Sequence, residues 1–447
     1  MPNANARHSR AERQALRLAL AVAIILALPL AGATATPIVG QTPSGNGGTA
    51  MASTVPGSEL RVWLVTVAPG DAVWERYGHN AIRLLDTRTG RDVSYNWGIF
   101  DFEQENFIAR FLLGRMLYMM ATYPTEPMLD AYRGANREIV LQELALTPEQ
   151  KVELRDLADL NARPENREYI YHYYLDNCST RVRDLLDRVL GGALRTQFAS
   201  MTTGTTYRFH TNRLTQPDPL IHTGIDLLLG TASDQQISVW EEMFVPMTLR
   251  DRIRDMAVVD DEGAERPLVL SEEIASSSTR AGAPAAPPRW LPIYLLIGIA
   301  IGGSLAAAAS DRAMESTLLR RSVTAVAVAW AVLGGVMGLL LVGLLFTDHD
   351  FAHRNENLFL FNPLLLVVAA LVPRSLTVGR WHARARAWAL AIVGIALVGL
   401  LWQLAPASRQ ENARFFALAL PAHLGLAYAL IRRRPSHPAG HGGPGSE

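Results

Sequence analysis

The chain has 447 residues, with 42 basic and 42 acidic side chains and 49% hydrophobic residues. That balance gives no sign of a nucleic-acid partner, and the single cysteine, Cys178, cannot form an intramolecular disulfide. The length leaves room for a substantial folded domain between apolar segments at the two ends.

Residues 1–35 read as a signal peptide or an N-terminal anchor. Arg7, Arg10, Arg13 and Arg17 form a basic start, Leu16 to Leu30 an apolar stretch, and Ala33-Thr34-Ala35 a small-residue cleavage site. Residues 36–57, rich in Gly, Ser, Thr and Pro, form a flexible linker. The domain expected next, 58–280, begins with strands at Leu60–Val67, His79–Asp86 and Arg91–Trp97, the last two joined by Thr87-Arg88-Thr89-Gly90. Phe102–Met120 reads as an apolar helix. Thr147-Pro148-Glu149-Gln150 opens another with a capping box, and Asn177 opens a third that Gly191-Gly192 stops. This is an α+β domain with a small antiparallel sheet.

An Ala/Pro linker, 281–289, leads to a helical membrane bundle over 290–434. Five spans are expected, at Trp290–Ala309, Val323–Phe346, Leu358–Val372, Trp388–Leu404 and Phe415–Ile431; the third and fifth are short. Arginines follow the first span (Arg312, Arg320, Arg321), the third (Arg374, Arg380, Arg384, Arg386) and the fifth (Arg432, Arg433, Arg434). By the positive-inside rule these loops are cytoplasmic and the 58–280 domain lies outside, leaving 435–447 as a disordered cytoplasmic tail.

An unpaired thiol in an exported domain calls for a chemical explanation. With Asn177 as N-cap, Cys178 falls in the first helical turn, where free N–H groups and the helix dipole favour a thiolate and can receive an oxyanion. Asn177 and Ser179 are therefore candidates for substrate or oxyanion contacts. A buried structural cysteine is the plain alternative. The base is sought among His79, His172, His210 and His222; His79 leads because it opens a strand after a glycine. If Asp86 pairs with Arg91, His79 lies across from Gly98 with Asn96 diagonal on the same face, giving a Cys-His-Asn set. Asp101 is the other candidate for orienting the imidazole. Phe107, Phe111, Leu112, Met116, Met119 and Met120 line an acyl groove or simply face the core. His349 and His353 have i, i+4 spacing but no third ligand, so no metal is expected. Arg208, Asp226 and Asp234 read as fixers of turns and helix ends.

The segments Gly78-His79-Asn80-Ala81-Ile82-Arg83, Tyr95-Asn96-Trp97-Gly98-Ile99-Phe100-Asp101-Phe102 and Asp176-Asn177-Cys178-Ser179-Thr180-Arg181 resemble the periplasmic domain of the Lnb-type bacterial lipoprotein N-acyltransferases. So do Gly224-Ile225-Asp226 with Gly230 and Asp234, and Phe244-Val245-Pro246. The resemblance covers roughly 58–260, and the His-before-Cys order is similar to permuted papain-like (NlpC/P60-type) thiol enzymes. His349, Asn355, Asn357, Asn362 and Pro363 are similar to a motif between the second and third spans of that family, in an external loop with no assigned role. The resemblance implies a multi-pass protein of the bacterial inner membrane with its catalytic domain in the periplasm. It implies a thiol-dependent acyltransferase with Cys178 as nucleophile and His79 as base, and no cofactor. Membrane phospholipid would be the acyl donor and the N-terminal amine of a lipoprotein the acceptor. A periplasmic cysteine hydrolase, a cell-wall peptidase or amidase or a lipase, is the alternative, because fold does not decide chemistry.

Overall fold

The computed structural model describes residues 55–259, 263–310, 315–378, 382–406, 408 and 410–432. The expected signal or anchor, most of the linker after it, and the C-terminal tail lie outside these residues. Two compact units divide the chain: described residues up to Thr203 with Ser238–Ala283, and Gly204–Ile237 with the described residues from Pro284 on.

The first unit is built on a seven-stranded antiparallel sheet. Its strands are β1 (Leu60–Val67), β2 (His79–Asp86), β3 (Asp92–Ile99), β4 (Leu117–Pro124), β5 (Ile139–Leu144), β6 (Glu168–Ile170) and β7 (Val269–Ser276), in the order β7-β5-β1-β2-β3-β4-β6. Strand alternation sends β1 into two cores. Leu60, Val62 and Leu64 join Ile82, Leu84 and the helical residues Val182 and Leu186. Trp63, Val65 and Val67 join Ala81, Ile139, Met128 and Leu129. A strand buried on both faces explains why its sequence is almost unbroken Val, Leu and Trp.

Sequence expectation and structure part company after β3. The apolar run Phe102–Met120 is not one helix: α1 spans Phe107–Leu113 and stops at Gly114, whose φ of 76° is left-handed. The remainder becomes β4, with Met119 opposite Ile99 and Ala121 opposite Asn96. Unpaired groups along β3 offered this segment a ladder, and tertiary pairing overrode helical periodicity.

The helices α2 (Thr125–Gly134), α3 (Pro148–Asn161) and α4 (Cys178–Val189) cover the sheet. As the sequence predicted, Thr147 caps α3 through a reciprocal pair with Gln150, at 3.2 and 2.9 Å. Asn177 caps α4, and Gly191 and Gly192 follow its end at positive φ.

In the second unit, α5 (Tyr207–Thr215) and α6 (Pro219–Leu228) group with the apolar helices α7 (Leu291–Ala306), α8 (Thr317–Leu344), α9 (Leu365–Val378), α10 (His382–Trp402) and α11 (Ala413–Arg432). The sequence had assigned 204–237 to the 58–280 domain, but Leu227 shares a core with Tyr294, Trp330 and Phe415. Among described residues, α8, α10 and α11 are long and apolar enough to cross a membrane; Leu291–Ala306 and Leu365–Leu376 are shorter apolar helices. The last span, expected to be short, is therefore long enough, whereas the first is not.

Candidate active site

The start of α4 is held on every side. Asn177 Oδ1 accepts from the N–H groups of Ser179 and Thr180, at 2.8 and 2.9 Å. Its Nδ2 donates to the carbonyls of Tyr173 and Phe244, both at 3.0 Å. Ser179 is fully buried, and its hydroxyl reaches Asn80 Oδ1 at 2.9 Å and Met243 O at 2.6 Å. The side chains of Asn177 and Ser179, expected as substrate or oxyanion contacts, are thus occupied inside the protein. They fix the turn that carries Cys178, which is itself only partly buried.

The backbone N–H groups of Asn80, Ser179 and Cys178 act on the thiol. They favour thiolate, as does the charge of Arg137, yet burial comes first and pushes the thiol above its ordinary value. The sequence weighed the helix terminus and not the desolvation that accompanies it. The resting thiol is therefore protonated at neutral pH.

The β2–β3 hairpin has the register that follows from pairing Asp86 with Arg91. Asp86 N–H donates to Arg91 O at 2.9 Å, and Ala81 stands opposite Asn96. His79 and Asn96 consequently share a face, and His79 Nε2 lies 3.0 Å from Asn96 Oδ1. Asn96 Nδ2 donates to Ser94 O at 3.1 Å, so the amide must present its oxygen to the imidazole. Nε2 then carries the hydrogen, and Nδ1 is left as a proton acceptor. Burial lowers His79 to about 4; the bond to Asn96 opposes this, and the Arg137 charge adds to it.

The other candidates have different work. Asp101 is exposed and caps its own turn through Glu103 N–H. His172 Nδ1 accepts from Tyr174 and Leu175 N–H groups in a tight turn. His210 and His222 are in the second unit, bonded to Thr205 and Arg213 and to Thr215 respectively.

Gly98, across from His79 when the register is continued, has φ of 86°, and a Cβ there would stand 3.5 Å from Cys178 Cβ and 3.6 Å from the Tyr171 ring. Those are ordinary contact distances, so it is the left-handed backbone beside the thiol, not lack of space, that calls for glycine here. From Tyr171 a series of rings runs outward: Tyr118 at 4.2 Å, Phe100 at 5.0 Å from Tyr118, then Phe102 and Trp74 at 4.9 and 5.9 Å from Phe100. Trp74, Phe102, Ile108 and Phe111 are exposed. The expected acyl-groove set therefore divides, with Met116 and Met120 in the core and Phe107 and Phe111 in this aromatic series.

Sequence reasoning missed Arg137. It precedes β5, is buried, and donates from Nε to Ala68 O at 2.8 Å and from Nη1 to Glu75 Oε1 at 3.2 Å. No local pattern marks it, since the strands that bring it near His79 are distant in sequence.

In the second unit, Asn355 Nδ2 donates to the carbonyls of Leu227, Leu228 and Leu229, and Asn357 Nδ2 to Leu227 O. These carbonyls end α6 beyond the reach of its own N–H groups, so both asparagines serve as its C-terminal cap. His353 Nε2 contacts the carbonyls of Leu344 and Thr347 at the end of α8, while His349 precedes the short helical turn Asp350–Ala352. Arg208 is fully buried, bonded to Asp226 and Asp234 and to the carbonyls of Leu229 and Gly230. Arg414 pairs with the same Asp226.

Residues 49–213 match the family described as the Lnb N-terminal periplasmic domain, which takes in His79, Asn96, Arg137 and Cys178. Residues 312–434 match the Lnb transmembrane domain. No curated protein and no solved structure matches the chain. Two domains of one family, in order along one polypeptide, place this chain in the Lnb family.

Proposed function

We propose that the protein is a membrane-bound lipoprotein N-acyltransferase that carries an acyl chain from phospholipid, through a thioester on Cys178, to the N-terminal amine of a lipidated lipoprotein. Family membership supports a membrane enzyme that modifies lipoproteins. The observation that carries the chemistry is the seating of Cys178 at a capped helix start packed against β2 and β3, the hairpin that carries the His79–Asn96 pair.

His79 Nδ1 takes the thiol proton as sulfur attacks the donor ester carbonyl. The resulting oxyanion is received by backbone N–H groups near the sulfur, those of Cys178 and Asn80. Collapse breaks the ester C–O bond, the proton passes from His79 to the departing alcohol, and lysophospholipid leaves. In the second half the lipoprotein amine attacks the thioester and gives its proton to His79. The C–S bond breaks, an amide remains, and the thiol recovers the proton. Asn96 holds the imidazole in the tautomer that both halves need. Membrane-spanning helices, with the thiol domain in the periplasm, would keep the site at the surface where both lipid-anchored substrates reside.

Purified full-length protein given phospholipid and a diacylated lipopeptide should yield lysophospholipid and N-acylated peptide in equal amounts. Free fatty acid without peptide acylation, or cleavage of a muropeptide, would favour a cysteine hydrolase instead.

A further inference from the structure

Arg137 is a buried cation that the protein leaves incompletely bonded. Nε and Nη1 have acceptors, but Nη2 is buried and has none. A guanidinium stays protonated, so its donors need acceptors where water is excluded. Among the described residues its carboxylate partner is Glu75, which is at 3.2 Å and partly exposed, and so compensates the charge only in part.

The fold puts this cation at the thiol site. Ile139, two residues on, pairs with Val67, and Val67 pairs with His79, so Arg137 and His79 lie at the same end of three adjacent strands. Both adjoin the Tyr132 ring, the guanidinium carbon 5.1 Å and the imidazole 6.2 Å from its centre. The Arg137 charge also acts on Cys178 and His79, favouring an anion at the sulfur and opposing an imidazolium.

We propose that Arg137 binds the phosphodiester of the donor phospholipid and positions its ester for attack by Cys178. This rests on the acyl-transfer reading above. In that reading the transient oxyanion is met by backbone donors beside Cys178, so the unused donor of Arg137 answers to a second, permanent anion. Of the two substrates, the donor brings one that a guanidinium suits, a phosphate. The acceptor brings an amine, which this cation repels when protonated. Arg137 thus marks the donor headgroup end of the site.

The test compares two acyl donors on full-length protein in detergent: phosphatidylglycerol, and diacylglycerol, which has the same esters and no phosphate. Cys178 acylation is followed by intact mass. Arg137→Gln should lower kcat/KM for phosphatidylglycerol by about ten- to a hundred-fold, mainly through KM, and lower it markedly less for diacylglycerol, where only the charge acting on Cys178 and His79 is lost. Arg137→Lys should recover part of the loss. Equal loss with both donors, or no loss with phosphatidylglycerol, overturns the assignment. A second arm needs no variant: glycerol 3-phosphate should compete with phosphatidylglycerol and not with diacylglycerol in the unaltered protein. Inhibition of both donors alike, or of neither at saturating concentration, also overturns it. If neither donor acylates Cys178 in the unaltered protein, the acyl-transfer reading fails instead, and the two failures are distinguishable.

Discussion

Asn96 and His79 are joined by a bond whose direction is set elsewhere, by the Ser94 carbonyl that takes the amide hydrogen. Asn96→Ala should lower Cys178 acylation by about ten-fold or more, by releasing the imidazole, as loss of an orienting partner does in other nucleophile–base pairs. The check is acylation rate beside the melting temperature: a fall in rate that only follows lost stability would contradict the assigned role. Burial leaves a neutral pair at rest, with His79 lowered to about 4 and the thiol raised. The acid limb of the acylation rate should therefore lie near pH 4, well below the ordinary imidazole value of 6.5. Alkylation by iodoacetamide should keep climbing past the ordinary thiol value of 9.0, because the thiolate forms late. A plateau already at neutral pH would mean a preformed ion pair. The same depressed imidazole links stability to pH. The unfolded chain takes a proton near 6.5 and the folded one only near 4, so His79's contribution is present above pH 6.5 and lost as pH falls through about 4.

At the scale of elements, the β2–β3 hairpin and the α4 cap were legible because their signals are local. A four-residue loop sets the register, and an asparagine before a helical run sets the start of the helix. Asn177→Ala should cost more than the ~1 kcal/mol of an ordinary cap, since four hydrogen bonds end on this side chain. Chemical denaturation of the unit that contains it would measure this, and a cost below ~0.5 kcal/mol would show the cap to be dispensable. The strand after Gly114 was not legible, because Leu117–Pro124 is strand only once β3 is there to pair with it. Arg137 was hidden for the same reason: its neighbours Ala68, Glu75 and His79 come from other strands and loops. Among the apolar helices, a Cβ on Gly425 would fall 2.0 Å from Gly302 O, so α7 and α11 meet backbone to backbone. Gly425→Ala should disrupt this crossing and lower folded yield in detergent, whereas Gly303→Ala, whose Cβ meets nothing within 4 Å, should not.

At the scale of the whole molecule, the segment 204–237 belongs by its packing with the apolar helices, although it follows the thiol helix directly in sequence. Its ties are buried ions: Arg208 and Arg414 share Asp226, which burial pushes up but the two guanidinium groups bring below the usual carboxylate range. Arg414→Met should cost about 3–5 kcal/mol by leaving part of a buried charge uncompensated, and Asp226→Asn added to it should recover some of that loss. Additive losses in a double-mutant cycle would contradict direct coupling. The central claim, that Cys178 carries the acyl chain, is tested most directly by intact mass spectrometry of the full-length protein after incubation with phospholipid and no acceptor. The expected result is one added acyl mass on Cys178, removed by hydroxylamine, discharged by a diacylated lipopeptide and missing from Cys178→Ala. An unmodified Cys178 in protein that still N-acylates the lipopeptide would contradict it.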